Sequence, residues 1–317
     1  MHAIVFCGDG GMRLEERPDP APGSSEVVVA VAFAGVNPAD LAQRAGRYPA
    51  PPGAPQDVPG MEVAGRVVAC GEAVRDWRVG DRVFGLVGGG GLADRVVVHE
   101  RHVTAVPERL DEPEAAAVPE AFVTAHDAIV TQAGLRSGAV LLVNGANGGV
   151  GTAAVQIGVL AGARVFASAR SDEARRRLSE LGAEAVAPGE AVARVLAAGG
   201  ADVVLELVGA PNLAGDLEVL ATKGSVVIVG TGAGAEAPLS LRALMGRRAR
   251  ILGTVLRARP LEEKAAAVQA FARGVVPLLA DGRARGIVDR AFPAGEAEAA
   301  FAYMEQPGKF GKVLLSF

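Results

Sequence analysis

The chain has 317 residues, half of them hydrophobic, and 32 Lys plus Arg against 36 Asp plus Glu give a formal charge of −4. That length suits two domains with a large core, while the acid excess argues against nucleic acid as a partner and the spread of apolar residues against disorder. Two cysteines, Cys7 and Cys70, exclude a disulfide framework and a four-thiolate zinc lobe.

The first eleven residues lack a basic stretch, and Asp9 closes their short apolar run, so no signal peptide is expected. No run of about 18 apolar residues is free of polar breaks, so no membrane span is expected either, and a cytoplasmic protein is the default. Lysine is scarce (Lys223, Lys264, Lys309, Lys312), as are histidine (His2, His99, His102, His126) and tyrosine (Tyr48, Tyr303), so the pool of proton-transfer residues is small.

In chain order, the first hundred residues read as β-rich and turn-rich. Residues 27–31, 63–68 and 95–99 are β-branched runs separated by Gly and Pro. Residues 49–59, with Pro49, Pro51, Pro52, Pro55 and Pro59, read as an extended surface loop, and the glycines of 88–91 as a tight turn or hinge. After about Leu110 the character changes. Residues 112–133 read as helix, 140–143 as a buried strand, 149–161 as helix, 164–167 as strand and 172–181 as a charged helix. Three more strands are expected at 203–207, 225–229 and 251–255, followed by a long amphipathic helix over 261–280. Strands alternating with helices predict an α/β fold, a doubly wound parallel sheet covered on both faces. Residues 287–317 return to the strand-and-turn style and are expected to pack back on the first domain.

Residues 140–158 read VLLVNGANGGVGTAAVQIG. Here a strand ends, and Ala146, Asn147, Gly148, Gly149, Val150 and Gly151 open a helix. Such a turn aims unpaired helix N-terminal N–H groups at an anion, and glycine lets a pyrophosphate approach the backbone. The flanking strand, helix and second strand at βαβ spacing are the context a dinucleotide fingerprint requires. Tight strand–helix packing is the alternative. The second strand ends in Ala167-Ser168-Ala169-Arg170-Ser171, without the carboxylate that accepts ribose hydroxyls in an NAD site. Arg170 offers a planar fork for a 2′-phosphate, Ser171 a hydroxyl and Arg175 a second guanidinium, with Asp172 read as the cap of the next helix. Unless the two arginines are only solvated surface charges, the cofactor expected is NADPH.

GVNPADL (35–41), PGMEVAGRVVACG (59–71), VGDRVFGL (79–86), NGANGGVGTAAVQ (144–156) and FGKVLL (310–315) together resemble the medium-chain dehydrogenase/reductase superfamily, in its zinc-free NADPH:quinone oxidoreductase branch. The resemblance covers essentially the whole chain. It implies a Rossmann domain, placed at 119–257, and a discontinuous GroES-like catalytic domain, placed at 1–118 and 258–317. It also implies an active site in the cleft between the domains, and dimers or tetramers, here a homodimer. At the positions where zinc-dependent members carry their ligands this chain has Asn37, Met61 and a third near Glu120, and Asn and a thioether are poor zinc ligands, so no metal is expected.

Without a Lewis acid, alcohol oxidation is hard, whereas hydride addition to a quinone or an α,β-unsaturated carbonyl needs only hydrogen-bond donors for the developing enolate. By resemblance Tyr48 is the donor, or else a loop tyrosine packed on its neighbouring prolines. Asn37 contacts the carbonyl or the nicotinamide amide, or else caps the next turn with Asp40. Further cofactor contacts carried over are Thr124, Gly230 and Thr231, Thr254, Leu256 and Arg257. Lys312 either reaches the cofactor or covers the cleft edge. His126 stands where the family has an aromatic residue, and either lines the cleft or packs in its helix. Relatives carry a Lys and a Tyr where this chain has Ala174 and Gly189, and tyrosines near residues 91–95 that it lacks. A reductase dedicated to enoyl substrates and an NADPH-binding protein with little turnover are the alternative functions.

Overall fold

The computed structural model describes residues 1–8 and 10–317; Asp9 lies outside the described residues. The chain divides into two compact units, Met1–Val123 with Leu256–Phe317, and Thr124–Val255.

The first unit opens with an antiparallel hairpin, β1 (His2–Phe6) and β2 (Met12–Glu16). The long β3 (Glu26–Val36) runs straight into α1 (Pro38–Arg44), which Asn37 caps and Pro38 starts. Then follow β4 (Glu62–Cys70), β5 (Arg82–Leu86), β6 (Arg95–His99), β7 (Val103–Ala105), α2 (Glu112–Ala116) and α3 (Pro119–His126). The cut between the units falls inside α3, five residues beyond the boundary expected at 118, and the chain re-enters the first unit at Leu256 rather than at 258.

The second unit holds β8 (Val140–Asn144), α4 (Gly149–Leu160), β9 (Arg164–Ser168), α5 (Asp172–Glu180), β10 (Glu184–Val186), α6 (Pro188–Ala197), β11 (Ala201–Glu206), α7 (Leu213–Val219), β12 (Leu220–Ile228), α8 (Leu241–Arg247) and β13 (Arg250–Gly253). Its six strands are all parallel in the order β10-β9-β8-β11-β12-β13. That is the doubly wound 3-2-1-4-5-6 order, with its switch point between β8 and β11, where such sheets bind ligands. Leu142, Phe166, Val204, Leu217 and Val226 are core residues of this unit.

The chain then adds α9 (Leu261–Gly274), α10 (Val276–Ala280), β14 (Val288–Pro293), α11 (Ala297–Glu305) and β15 (Lys312–Ser316) to the first unit. β15 pairs antiparallel with β3, closing a seven-stranded sheet β14-β15-β3-β4-β5-β7, with β6 also on β3. Ile4, Val29, Val63, Leu92, Phe301 and Leu315 fill its core. The terminal segment thus packs where the sequence places it, through a helix, α11, that the strand-and-turn reading missed. Two long helices are broken. Residues 112–133 form α2, α3 and a π-helical turn, Asp127–Gln132, and 261–280 breaks at Val275, just before Pro277, whose ring nitrogen has no N–H to donate. The proline loop is not wholly at the surface, since Ala50 and Val58 are buried. Among the described residues no helix is long and apolar enough to cross a membrane.

Candidate active site

In the first unit the site grows from strand order. β4 and β15 flank β3 and run antiparallel to it, so their first residues, Glu62 and Lys312, meet the end of β3 at Val36 and Asn37. Lys312 Nζ lies 2.5 Å from Glu62 Oε1 and donates to Asn37 Oδ1 at 2.5 Å. Asn37 Nδ2 donates to Glu62 Oε1 at 2.9 Å and to the Gly35 carbonyl at 3.3 Å. Glu62 Oε2 accepts the Glu120 N–H at 2.8 Å. Asn37, Glu62 and Lys312 are all buried, so the Asn37 amide is consumed inside the protein at both ends. Asp40, one turn on, accepts the N–H groups of Asn37 (2.8 Å) and Gly60 (2.9 Å). Complete burial pushes the Asp40 carboxyl up to about 6, against the pull of those two amides, Arg257 and Lys312.

Beside it lies a cationic cluster. Arg257 is 4% exposed and donates to the Gly88 carbonyl (2.7 Å), Gln43 Oε1 (2.7 Å) and the Tyr48 carbonyl (3.4 Å), with its guanidinium 5.5 Å from the Tyr48 ring centre. The buried Lys264 donates to the Arg257 carbonyl at 2.7 Å, and burial lowers its pKa. Tyr48 is half-buried, and its hydroxyl makes no hydrogen bond among the described residues. Burial and then the Glu120 charge raise its pKa, Arg257 opposing, which keeps the phenol protonated and able to donate. Met61 is buried, and among the described residues no group of three or more His, Cys, Asp or Glu is placed to hold a metal ion.

In the second unit the glycine-rich turn joins β8 to α4 at the sheet's switch point. Gly148 caps α4, and open space lies where its side chain would be. The N–H groups of Gly149, Val150 and Gly151, in the first turn of α4, carry no acceptor among the described residues, as an anion site needs. Gly151 is required by packing, since a Cβ there would stand 2.5 Å from the Ala146 carbonyl oxygen. Ala146 itself is buried and donates to the Ser168 carbonyl, tying the turn to β9, and Asn147 follows it within the turn.

The strand end after β9 corrects one expectation. Ser171, not Asp172, caps α5: its backbone is extended and its hydroxyl accepts the Ala174 N–H at 3.2 Å. Asp172 falls one residue inside, where its carboxylate pairs with Arg175. Arg175 also donates to the carbonyls of Ala169 and Arg170 at 2.8 Å each, so it is bound to its own strand end. The Arg170 side chain is exposed and has no partner among the described residues. Gly230 donates to the Glu206 carbonyl at 3.1 Å and Thr231 is exposed beside it. The Thr254 hydroxyl accepts from Gln132 at 2.8 Å, and Thr124 is buried. Leu256 and Arg257 fall in the first unit, where Arg257 gathers with Tyr48. His126 is buried with Nδ1 unpaired, and burial lowers its pKa, which fits the packed reading of this residue.

Sequence reasoning assigned no role to Glu62, Gln43, Lys264, Glu206 or Asp216. Scarcity was the one available signal: two of the four lysines, Lys264 and Lys312, turn out to be buried.

Comparison with known proteins agrees with this fold. Residues 23–108 match the family described as alcohol dehydrogenase GroES-like domain, and residues 149–273 the family described as zinc-binding dehydrogenase. A quinone oxidoreductase of Rattus norvegicus is 32% identical over 304 residues, covering 93% of this chain and 90% of its own. The solved quinone oxidoreductase of Thermus thermophilus, described also in complex with NADPH, is 37% identical with a TM-score of 0.86 over all of both chains. The CurK enoyl reductase structure is 27% identical with a TM-score of 0.87, covering 99% of this chain and 98% of its own. With a GroES-like domain, a Rossmann sheet and quinone oxidoreductase relatives along nearly its whole length, the chain belongs to the medium-chain dehydrogenase/reductase superfamily, an oxidoreductase family that uses a nicotinamide cofactor.

Proposed function

We propose that the protein is an NADPH-dependent, zinc-independent reductase that transfers hydride to quinones or α,β-unsaturated carbonyl compounds. The observation that carries this reading is the Tyr48–Arg257 pair: a protonated phenol with no hydrogen-bond partner among the described residues, held against a buried guanidinium. When bound, a nicotinamide supplies the hydride. The chain supplies the rest. The Tyr48 hydroxyl donates to the oxygen on which negative charge develops, and the Arg257 and Lys264 charges stabilise that charge electrostatically. Asn37 then holds Lys312 and Glu62 in register instead of touching substrate, a change from the role the resemblance suggests.

The donor set supports zinc independence. An amide already bonded to Lys312 and Glu62, a buried thioether and a single carboxylate at the third position, Glu120, do not form a tetrahedral N/S site. Full activity after dialysis against a chelator is expected, and stoichiometric zinc in the active protein would overturn this.

For the cofactor, the exposed Arg170 fork and the absence of a carboxylate at the end of β9 support NADPH over NADH. We further propose a cytoplasmic homodimer. β13 is an open sheet edge, and exposed apolar side chains flank it in sequence, Leu241 (64% exposed) and Met245 (75%) on α8 before it and Val255 (56%) after it, so a second copy covering them is the favoured assembly. Light scattering of wild type and Met245→Glu checks it: a dimer that the charge weakens is expected, and a monomeric wild type contradicts it.

The likeness to an enoyl reductase structure supports a second reading, a dedicated enoyl reductase. Comparing kcat/KM for a quinone, an enone and an enoyl thioester separates the two.

A further inference from the structure

Two buried carboxyls, Glu206 and Asp216, have no role in the chemistry above, yet they sit at the switch point of the parallel sheet. Asn144 and Glu206 end β8 and β11 and are register partners. Asn144 Nδ2 donates to Glu206 Oε2 at 2.8 Å and to Asp216 Oδ1 at 2.7 Å. Glu206 Oε1 accepts the N–H groups of Val208 (2.5 Å) and Gly209 (2.7 Å), and Oε2 accepts from Asn212 at 3.1 Å. The Glu206 carbonyl accepts the N–H groups of Val229 and Gly230. One residue therefore fastens the ends of β8, β11 and β12.

The turn that Glu206 holds touches both candidate nucleotide loops. Gly209, at φ +116°, leaves only 2.6 Å between a hypothetical Cβ and the Gly234 carbonyl oxygen and 2.9 Å to the Thr231 Cα. Val208 stands 3.0 Å from where a Cβ on Gly145 would be, at the start of the glycine-rich turn. A shift of residues 207–209 is thus passed directly to residues 145 and 231.

Asp216 shows how this anchor is held. It is 2% exposed, and its Oδ2 has no hydrogen-bond donor among the described residues. As an anion it would leave that oxygen unpaired beside the Glu206 carboxylate; with a proton on Oδ2 it becomes a donor to Glu206. Burial first, then the Glu206 charge and hydrogen bond, raise Asp216 to about 8, with Asn144 opposing. The charged groups on elements packed against α7 are Glu190 and Arg194 on α6, Lys223 on β12, and Arg242 and Arg247 on α8, and none of them acts on Asp216.

We infer that Asp216, as a neutral acid, is a positioning residue: its proton holds Glu206, and through Glu206 the glycine-rich turn and the loop at Gly230 and Thr231, in the conformation that binds the nucleotide. This rests on reading the turn after β8 as the dinucleotide site.

The test is calorimetric titration of the full chain with NADPH between about pH 6.5 and 9.5, with the melting temperature recorded at each pH. Wild type is expected to lose about tenfold in affinity between pH 7 and 9.5 as the proton leaves. Asp216→Asn, whose amide N–H replaces the acid proton, should match wild type at pH 7 and lose no more than about threefold over the range. Asp216→Leu should be weakened already at pH 7. Parallel profiles for wild type and Asp216→Asn, both folded, overturn the inference. A folded wild type that binds no NADPH at pH 7 overturns the cofactor reading, and the inference with it. Should Asp216→Asn fail to fold, Glu206→Gln, which removes the facing charge, carries the same flattened profile and the same refutation.

Discussion

Lys312 and Glu62 form an ion pair at 2.5 Å with only 5% and 0% of their side chains exposed. Deleting one partner strands the other charge in a medium that cannot solvate it, which typically costs about 3–5 kcal/mol. Lys312→Met should therefore lower the unfolding free energy by about that amount in urea titration. The double variant Lys312→Met with Glu62→Gln should recover part of the loss. A single variant within about 1 kcal/mol of wild type would show that the pair carries no such weight.

Asp40 gives stability a pH signature. Its folded pKa, about 6, exceeds its unfolded value of 3.8, so the folded state binds the proton more tightly. The contribution is fully present below about pH 4 and is lost as pH rises through 6, by up to about 3 kcal/mol. Asp40→Asn cannot titrate, so the stability of wild type relative to this variant should fall between pH 4 and 6 and then level off. A difference that rises over that window would contradict the assignment.

Arg170 and Arg175 separate two roles that look alike in sequence. Arg170→Ala should reduce kcat/KM for NADPH about 10–100-fold, the range of one charge-assisted hydrogen bond, and leave NADH unchanged. Arg175→Ala releases the carbonyls of Ala169 and Arg170, so it should weaken both cofactors alike and lower the melting temperature. Equal losses for both cofactors in Arg170→Ala would sink the 2′-phosphate reading.

These contrasts show where sequence reading reached its limit. Five strands of the parallel sheet, β8, β9, β11, β12 and β13, were legible because each carries a short apolar run, and the glycine-rich turn because its spacing is local; β10, only Glu184–Val186, is too short to carry such a run and was missed. Ser171 and Asp172 are adjacent and both good caps, so only the backbone decided between them. Arg175 read as a phosphate ligand because its partners are carbonyls, which every residue has. The pairing of Lys312 with Glu62, and of Arg257 with Gln43, joins positions more than two hundred residues apart, which no local pattern records. Asn37 is the mixed case. The motif singled it out as a site position, but its bonds to Glu62 and Lys312 depend on β4 and β15 both pairing with β3.

The central claim rests on Tyr48, and steady-state NADPH consumption tests it most directly. Chelator-treated wild type and Tyr48→Phe are compared across quinones, enones and enoyl thioesters, with NADPH binding measured in parallel. Turnover by wild type with at least one of these classes is expected, and a loss of about 10²–10³ in kcat for Tyr48→Phe at unchanged NADPH affinity. A wild type that binds NADPH yet consumes none across the panel, or a Tyr48→Phe variant with wild-type kcat, would contradict it.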